Sequence, residues 1–157
     1  MIGRVLTLQP NHPLAAIDRE FLGAQCQPNA GAAVARLTED IRDLPASSPT
    51  RWVALMHLSS LDLTEGKYER ARAAALASRR IVPSTWTAMT LAGSDAALGR
   101  NAEAAQILAE HRREWPNMDL HYFAEHIVPR WCLGGPRTRD VQQVFRHLAD
   151  AVQPAQK

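Results

Sequence analysis

The sequence predicts an all-helical chain, a right-handed solenoid of antiparallel helix pairs with about nine helices in all and a closing helix at its C-terminal end. Two observations predict it. The chain aligns with itself at a single shift: Gly66-Lys67-Tyr68-Glu69-Arg70-Ala71 falls on Gly99-Arg100-Asn101-Ala102-Glu103-Ala104, and the same shift of 33 residues carries Pro83 onto Pro116. Within each unit, apolar and small residues recur at steps of three and four on both sides of the glycine, the spacing of one helix face before and after a turn.

The elements follow in order along a single domain, residues 1–157. In the middle unit, 49–83, Ser48 can cap a helix whose first position is Pro49, and Trp52, Leu55, Leu58, Leu61 and Leu63 form its apolar face. Gly66 ends that helix. Tyr68, Ala71, Ala75 and Ser78 then line a second helix with small side chains that let two axes approach, and Pro83 closes the unit. The unit 84–116 repeats this logic. Ser84 or Thr85 caps it, Ala88, Leu91, Ala92 and Leu98 precede Gly99, and Ala104, Leu108, His111 and Trp115 precede Pro116. Arg79, Arg80, Arg112 and Arg113 fall in last turns, where positive charge meets the negative end of the helix dipole.

A worn unit, 13–45, comes earlier, with Leu14, Ile17, Phe21 and Leu22 on its first helix and Val34, Leu37, Ile41 and Leu44 on its second. Its turn, 27–31, has drifted. Residues 1–10 read as the last turns of a truncated repeat, so Val5, Leu6 and Leu8 are expected to need cover from a longer parent chain or from self-association. A degenerate terminal pair, 117–152, is expected after the repeats. Asn117 caps a helix through Val128, Leu133-Gly134-Gly135-Pro136 turns the chain, and Thr138 caps a final helix to about Val152. Val141, Val144, Phe145, Leu148 and Val152 line its buried face.

Composition excludes several classes. At 157 residues, 46% hydrophobic and 22% charged, the chain can bury a core, and 18 basic against 16 acidic residues leave a formal charge of +2, too small for a whole-molecule field that would hold a polyanion. Cys26 and Cys132 belong to no CxxC or Cys/His pattern, which suits a reducing compartment, so a cytoplasmic protein is expected. Met1 to Pro10 carries Arg4 and no long apolar run, so it reads as neither signal peptide nor membrane span.

The unit order of helix, glycine turn, helix and proline, at a period of about 34 residues, resembles the tetratricopeptide repeat family. Leu8-Gln9-Pro10-Asn11-His12-Pro13, Gly66-Lys67-Tyr68-Glu69-Arg70-Ala71, Leu98-Gly99-Arg100-Asn101-Ala102-Glu103-Ala104 and the closing segment 140–151 are similar to the tetratricopeptide tails that follow bacterial class III adenylate or guanylate cyclase domains, or winged-helix regulators. Neither the cyclase domain nor the winged helix is in this sequence. The resemblance therefore implies an interaction or regulatory module of a larger signalling protein, not catalysis.

The residues themselves carry no enzyme signature. GxSxG, GxxxxGK[ST] and a GxGxxG after a strand are absent, and no cofactor or metal is expected. His121, Glu125 and His126 are the tightest cluster, but a spacing of five turns two imidazoles about 140° apart on a regular helix, which separates them as ligands. His111 is expected between helices and the other histidines at surfaces or caps. Cys132 reads as a small buried hydrophobe. Lys67, Arg70, Arg72, Arg79 and Arg80 make the most basic stretch, so a nucleic-acid-associated tail using the helix face 67–80 is the alternative function. The leading one is a protein-binding groove. First helices line the concave side of such an array, placing Leu14, Ile17, Phe21, Val53, Met56, Trp86 and Met89 where an amphipathic helix or apolar peptide docks. The same residues equally suit inter-repeat core, or a groove filled by the chain's own final helix.

Overall fold

The computed structural model describes residues 9, 12–25, 31–131 and 138–152. Among these it forms eight helices and no strand. They are α1 (Pro13–Gln25), α2 (Gly31–Asp43), α3 (Arg51–Thr64), α4 (Tyr68–Ile81), α5 (Thr85–Ala97), α6 (Asn101–Glu114), α7 and α8 (Thr138–Val152). Helix α7 runs continuously through three pieces, Leu120–Tyr122, a π-helical stretch Phe123–Ile127, and Val128–Trp131. The expected partial helix in 1–10, most of the turn 27–31, the turn 133–136 and both cysteines lie outside the described residues.

The two repeated glycines do what the sequence assigns to them. Gly66 has φ 72° and Gly99 φ 76°, the left-handed region where a side chain is strained. Gly66 N–H donates to Leu63 O at 3.1 Å and Lys67 N–H to Asp62 O at 2.8 Å, while Gly99 N–H donates to Ala96 O at 3.0 Å and Arg100 N–H to Asp95 O at 2.8 Å. One bond nested inside another is the Schellman ending, and it uses carbonyls that the helix cannot satisfy itself. Its recurrence gives α3–α4 and α5–α6 the same turn.

Helix starts agree less well with expectation, and Thr138, expected to cap the final helix, is instead the first residue of α8 with its buried hydroxyl unbonded. Ser84 caps α5 as predicted, accepting from Thr87 N–H at 3.2 Å and donating its own backbone N–H to Thr87 Oγ1 at 3.2 Å. Helix α3, however, begins at Arg51 and not at Pro49, because the Ser48 and Thr50 hydroxyls bond each other at 2.8 Å within a turn. Arg51 then closes the preceding helix, donating to both Ile41 O and Leu44 O at 2.6 Å. Likewise Asn117 sits in a turn closed by Met118 N–H to Trp115 O at 3.2 Å, and Asp119 caps α7 by accepting from Tyr122 N–H at 3.0 Å.

Helices pack in sequence, α1 on α2, α3 on α4 and α5 on α6, with α2 on α3 and α4 on α5 across unit boundaries. First helices also meet one another, α1 on α3 and α3 on α5. Helix α8 returns across α5, α6, α7 and α3. Two helices are thereby enclosed: every residue from Ala54 to Leu63 in α3 and from Thr87 to Asp95 in α5 is buried.

Substituting Gly99→Ala should lower stability by about 1–2 kcal/mol, the cost of a left-handed alanine, although open space surrounds the position of its Cβ. Gly23→Ala, also unobstructed but inside α1, should instead raise stability by up to about 1 kcal/mol. Urea denaturation of both variants checks this, and shifts of the same sign would contradict it.

Candidate functional site

The inner side of the first helices is where the sequence places a docking groove, and the structure puts the chain's own side chains there. Ile17, Phe21, Met56 and Met89 are buried, while Leu14, Val53 and Trp86 are half-buried. They are not the lining of an open trough. The Phe21 ring stacks on His57 with centroids 3.8 Å apart, Trp86 meets Phe123 edge-on at 6.1 Å, and Met89 is 0% exposed. The expected exposed anchors, Met56, Met89 and Trp86, are therefore committed to intrachain packing.

The last helix, α8, packs against α5, α6, α7 and α3. Val141, Phe145, Leu148 and Ala149 recur at helical spacing, and all four are buried, whereas Arg139, Asp140, Gln143, Arg146 and His147 are exposed. Phe145 lies across Gly93 of α5, where an added Cβ would fall 2.7 Å from the end of the ring, and it meets Phe123 of α7 edge-on at 4.9 Å. Gly93 thus acts as a notch in α5, bare backbone that admits an aromatic ring. Beside it, Arg146 grips Glu125 of α7 in two parallel bonds, Nε to Oε1 at 2.5 Å and Nη2 to Oε2 at 2.9 Å, and Gln142 Nε2 donates to Glu125 Oε2 at 3.3 Å. Both partners of that ion pair are roughly half exposed, at 48% and 44%.

The histidines divide differently from expectation. His111 is indeed buried and stacks on Trp115 at 4.3 Å, and His12 caps α1 by accepting from Ala15 N–H at 3.2 Å. His57, expected at a surface or cap, is buried, with Nε2 2.9 Å from Asp18 Oδ1, so a polar bond joins α1 to α3. The spacing argument for His121 and His126 assumed a regular helix, and the π-helical stretch removes that premise. They are still parted: His121 Nε2 is 4.0 Å from Asp150 of α8, while His126 tilts against Tyr122 at 4.7 Å. Among the described residues no group of three or more His, Cys, Asp or Glu side chains is placed to hold a metal ion.

The basic stretch is largely engaged. Arg70 pairs with Asp62 at 3.3 Å, Arg72 with Asp95 at 2.5 Å and Arg79 with Glu110 at 3.0 Å, leaving Lys67 and Arg80 of the five cations. Three of these guanidiniums serve helix packing, which weakens the nucleic-acid reading. No helix among the described residues is long and apolar enough to cross a membrane. Sequence reasoning missed Gly93, Asp62 and Asp95. A glycine inside a helical stripe was the signal for the first, and the shift of 33 that carries Asp62 onto Asp95 was the signal for the others.

No family model matches this chain, and no curated protein or solved structure is significantly similar to it.

Burial pushes the His57 imidazole below its ordinary value, against the opposing Asp18 carboxylate, and burial likewise lowers His111, opposed by Glu114 and aided by Arg79. A histidine lowered on folding stabilises the protein fully above its unfolded value near 6.5, and that contribution is lost as pH falls from there through the folded value. The wild type should therefore lose more stability between pH 7.5 and 5.5 than His57→Gln does, measured by urea midpoints. Parallel pH profiles for the two proteins would refute the assignment. The buried Asp62 carboxyl, raised chiefly by burial, acts in the opposite sense and cancels from this comparison.

Proposed function

We propose that this chain is a non-catalytic, tetratricopeptide-like interaction module whose inner face binds amphipathic helices, the regulatory tail of a larger signalling protein. The observation that carries the reading is α8 itself, a one-sided helix laid across α3 and α5 with every group in its buried stripe apolar. A face that accepts one such helix has the shape and chemistry to accept another, the helix-in-groove mode of recognition. The paired helices, the neighbouring first helices and the twin glycine turns 33 residues apart support a stacked-repeat architecture of this kind. The resemblance to the tails of bacterial cyclases and winged-helix regulators supports the regulatory role, and a cytoplasmic setting goes with it.

The test uses the whole chain. A specific protease site placed within 132–137 and cut after folding leaves α8 held only by its contacts. A labelled peptide of residues 138–152 should then exchange with the resident helix and reach a saturable equilibrium at micromolar concentration, while the uncut chain, whose tethered helix competes at an effective concentration of roughly millimolar, should resist it. If no peptide enters the cut protein, α8 is permanent core and the reading falls.

A further inference from the structure

Resting on that reading, we propose that the inner face selects its helices by an aromatic residue followed directly by an arginine, read by the Gly93 notch of α5 and the Glu125 carboxylate of α7. The ligand class is thus an amphipathic helix with a buried apolar stripe and this aromatic-arginine step within it, and α8 is the chain's own copy of that ligand.

Three features of the contact carry the inference. The first is steric. Phe145 is wholly buried, and the end of its ring occupies the volume that any side chain at residue 93 would take, since an ideal Cβ there lies 2.7 Å from Cζ and 3.3 Å from both Cε atoms. Glycine in the middle of an enclosed helix is costly relative to alanine, so its presence under a ring is a fit that a smaller side chain would leave as a void. The second is electrostatic. Adjacent residues on a helix point about 100° apart, so the side chain after the buried aromatic emerges at the margin of the contact. Arg146 emerges there and meets Glu125 in a bidentate pair, a geometry a lysine cannot reproduce. The third is local backbone. Glu125 stands within the π-helical stretch Phe123–Ile127, whose first residue, Phe123, is the other aromatic against Phe145. One irregular turn therefore presents both the wall of the aromatic socket and the acid beside it.

The two parts differ in weight. The notch supplies most of the affinity because it is dry and filled, whereas the ion pair is half exposed and screened, so it sets preference more than strength.

Competition in the cut chain tests this without ever emptying the face. Peptides of residues 138–152 carrying Phe145→Ala should compete at least about 100-fold less well than the native peptide. An Arg146→Glu peptide should lose about three- to tenfold, and Glu125→Arg in the protein should restore it while penalising the native peptide. Gly93→Ala should invert the order of the native and Phe145→Leu peptides. Should Gly93→Ala fail to fold, the exposed Glu125→Arg exchange still decides the matter. Peptides that enter equally well whatever stands at 145 and 146 overturn the selectivity while sparing the helix-binding reading. Failure of every peptide to enter overturns both.

Discussion

The structure depends on the enclosure of the middle of α3, Ala54–Leu63, and of α5, Thr87–Asp95. A helix covered on every side has no solvent to satisfy its polar side chains, so each must be matched inside the protein or cost about 1–3 kcal/mol. The hydroxyls meet this locally: Ser59 and Ser60 bond Met56 O at 2.7 and 3.0 Å, Thr90 bonds Trp86 O at 2.9 Å, and Ser94 bonds Thr90 O at 2.7 Å. A hydroxyl folded back onto its own helix turns a small, nearly apolar surface outward. Neighbouring helices can then pack on that face, and Ser78 goes further by donating to Trp52 O at 2.8 Å and tying α4 to α3.

Carboxylates cannot hide in this way, and Asp62 and Asp95 show the consequence. They occupy the same place in successive units, their carbonyls accepting the outer bond of each glycine turn, and both are buried. Asp95 is matched from across a unit boundary by Arg72 of α4, with Arg100 a further 3.8 Å contact. Arg36 of α2 pairs instead within its own unit, with Glu20 of α1 at 2.6 Å, and Asp62 is served only by Arg70 of its own unit at 3.3 Å, with neither Asp62 carboxyl oxygen hydrogen-bonded. An ion pair at Asp95 thus joins two units, whereas the one at Asp62 only closes a turn.

What the sequence reveals and what it hides divide along this line. The glycine turns, the Ser84 cap, the helical class and Val141, Phe145 and Leu148 of the buried stripe of α8 were legible because each rests on residues close in the chain, whereas Val144 and Val152, expected in that stripe, are half-buried. The starts of α3 and α7 were misplaced because two capping candidates stood near each other, Ser48 with Thr50 and Asn117 with Asp119, and the helix begins after the second of each pair. His57 was misjudged because its partner, Asp18, comes from another helix. Trp115, expected in a buried stripe, is 42% exposed, since its helix ends at Glu114 and the chain has already turned outward. Least legible was whether the inner face is open. An apolar stripe on a first helix is required in either case, and only the path of α8 distinguishes them.

That path has an energetic consequence. Burying Val141, Phe145 and Leu148 contributes about 1.5–3 kcal/mol each. A 15-residue helix is marginal on its own in water, so ordering α8 opposes much of that gain. Docking and helix formation are therefore coupled, and a free helix of the same composition binds less tightly than its buried area implies. Because α8 belongs to the same chain, its docking carries little translational cost, and a contact of modest intrinsic strength suffices to hold it. On the proposed reading, an incoming helix wins only by fitting the notch better than Phe145 or by arriving already ordered within its own protein. On that reading, the covalent attachment of α8 sets the threshold a partner must exceed.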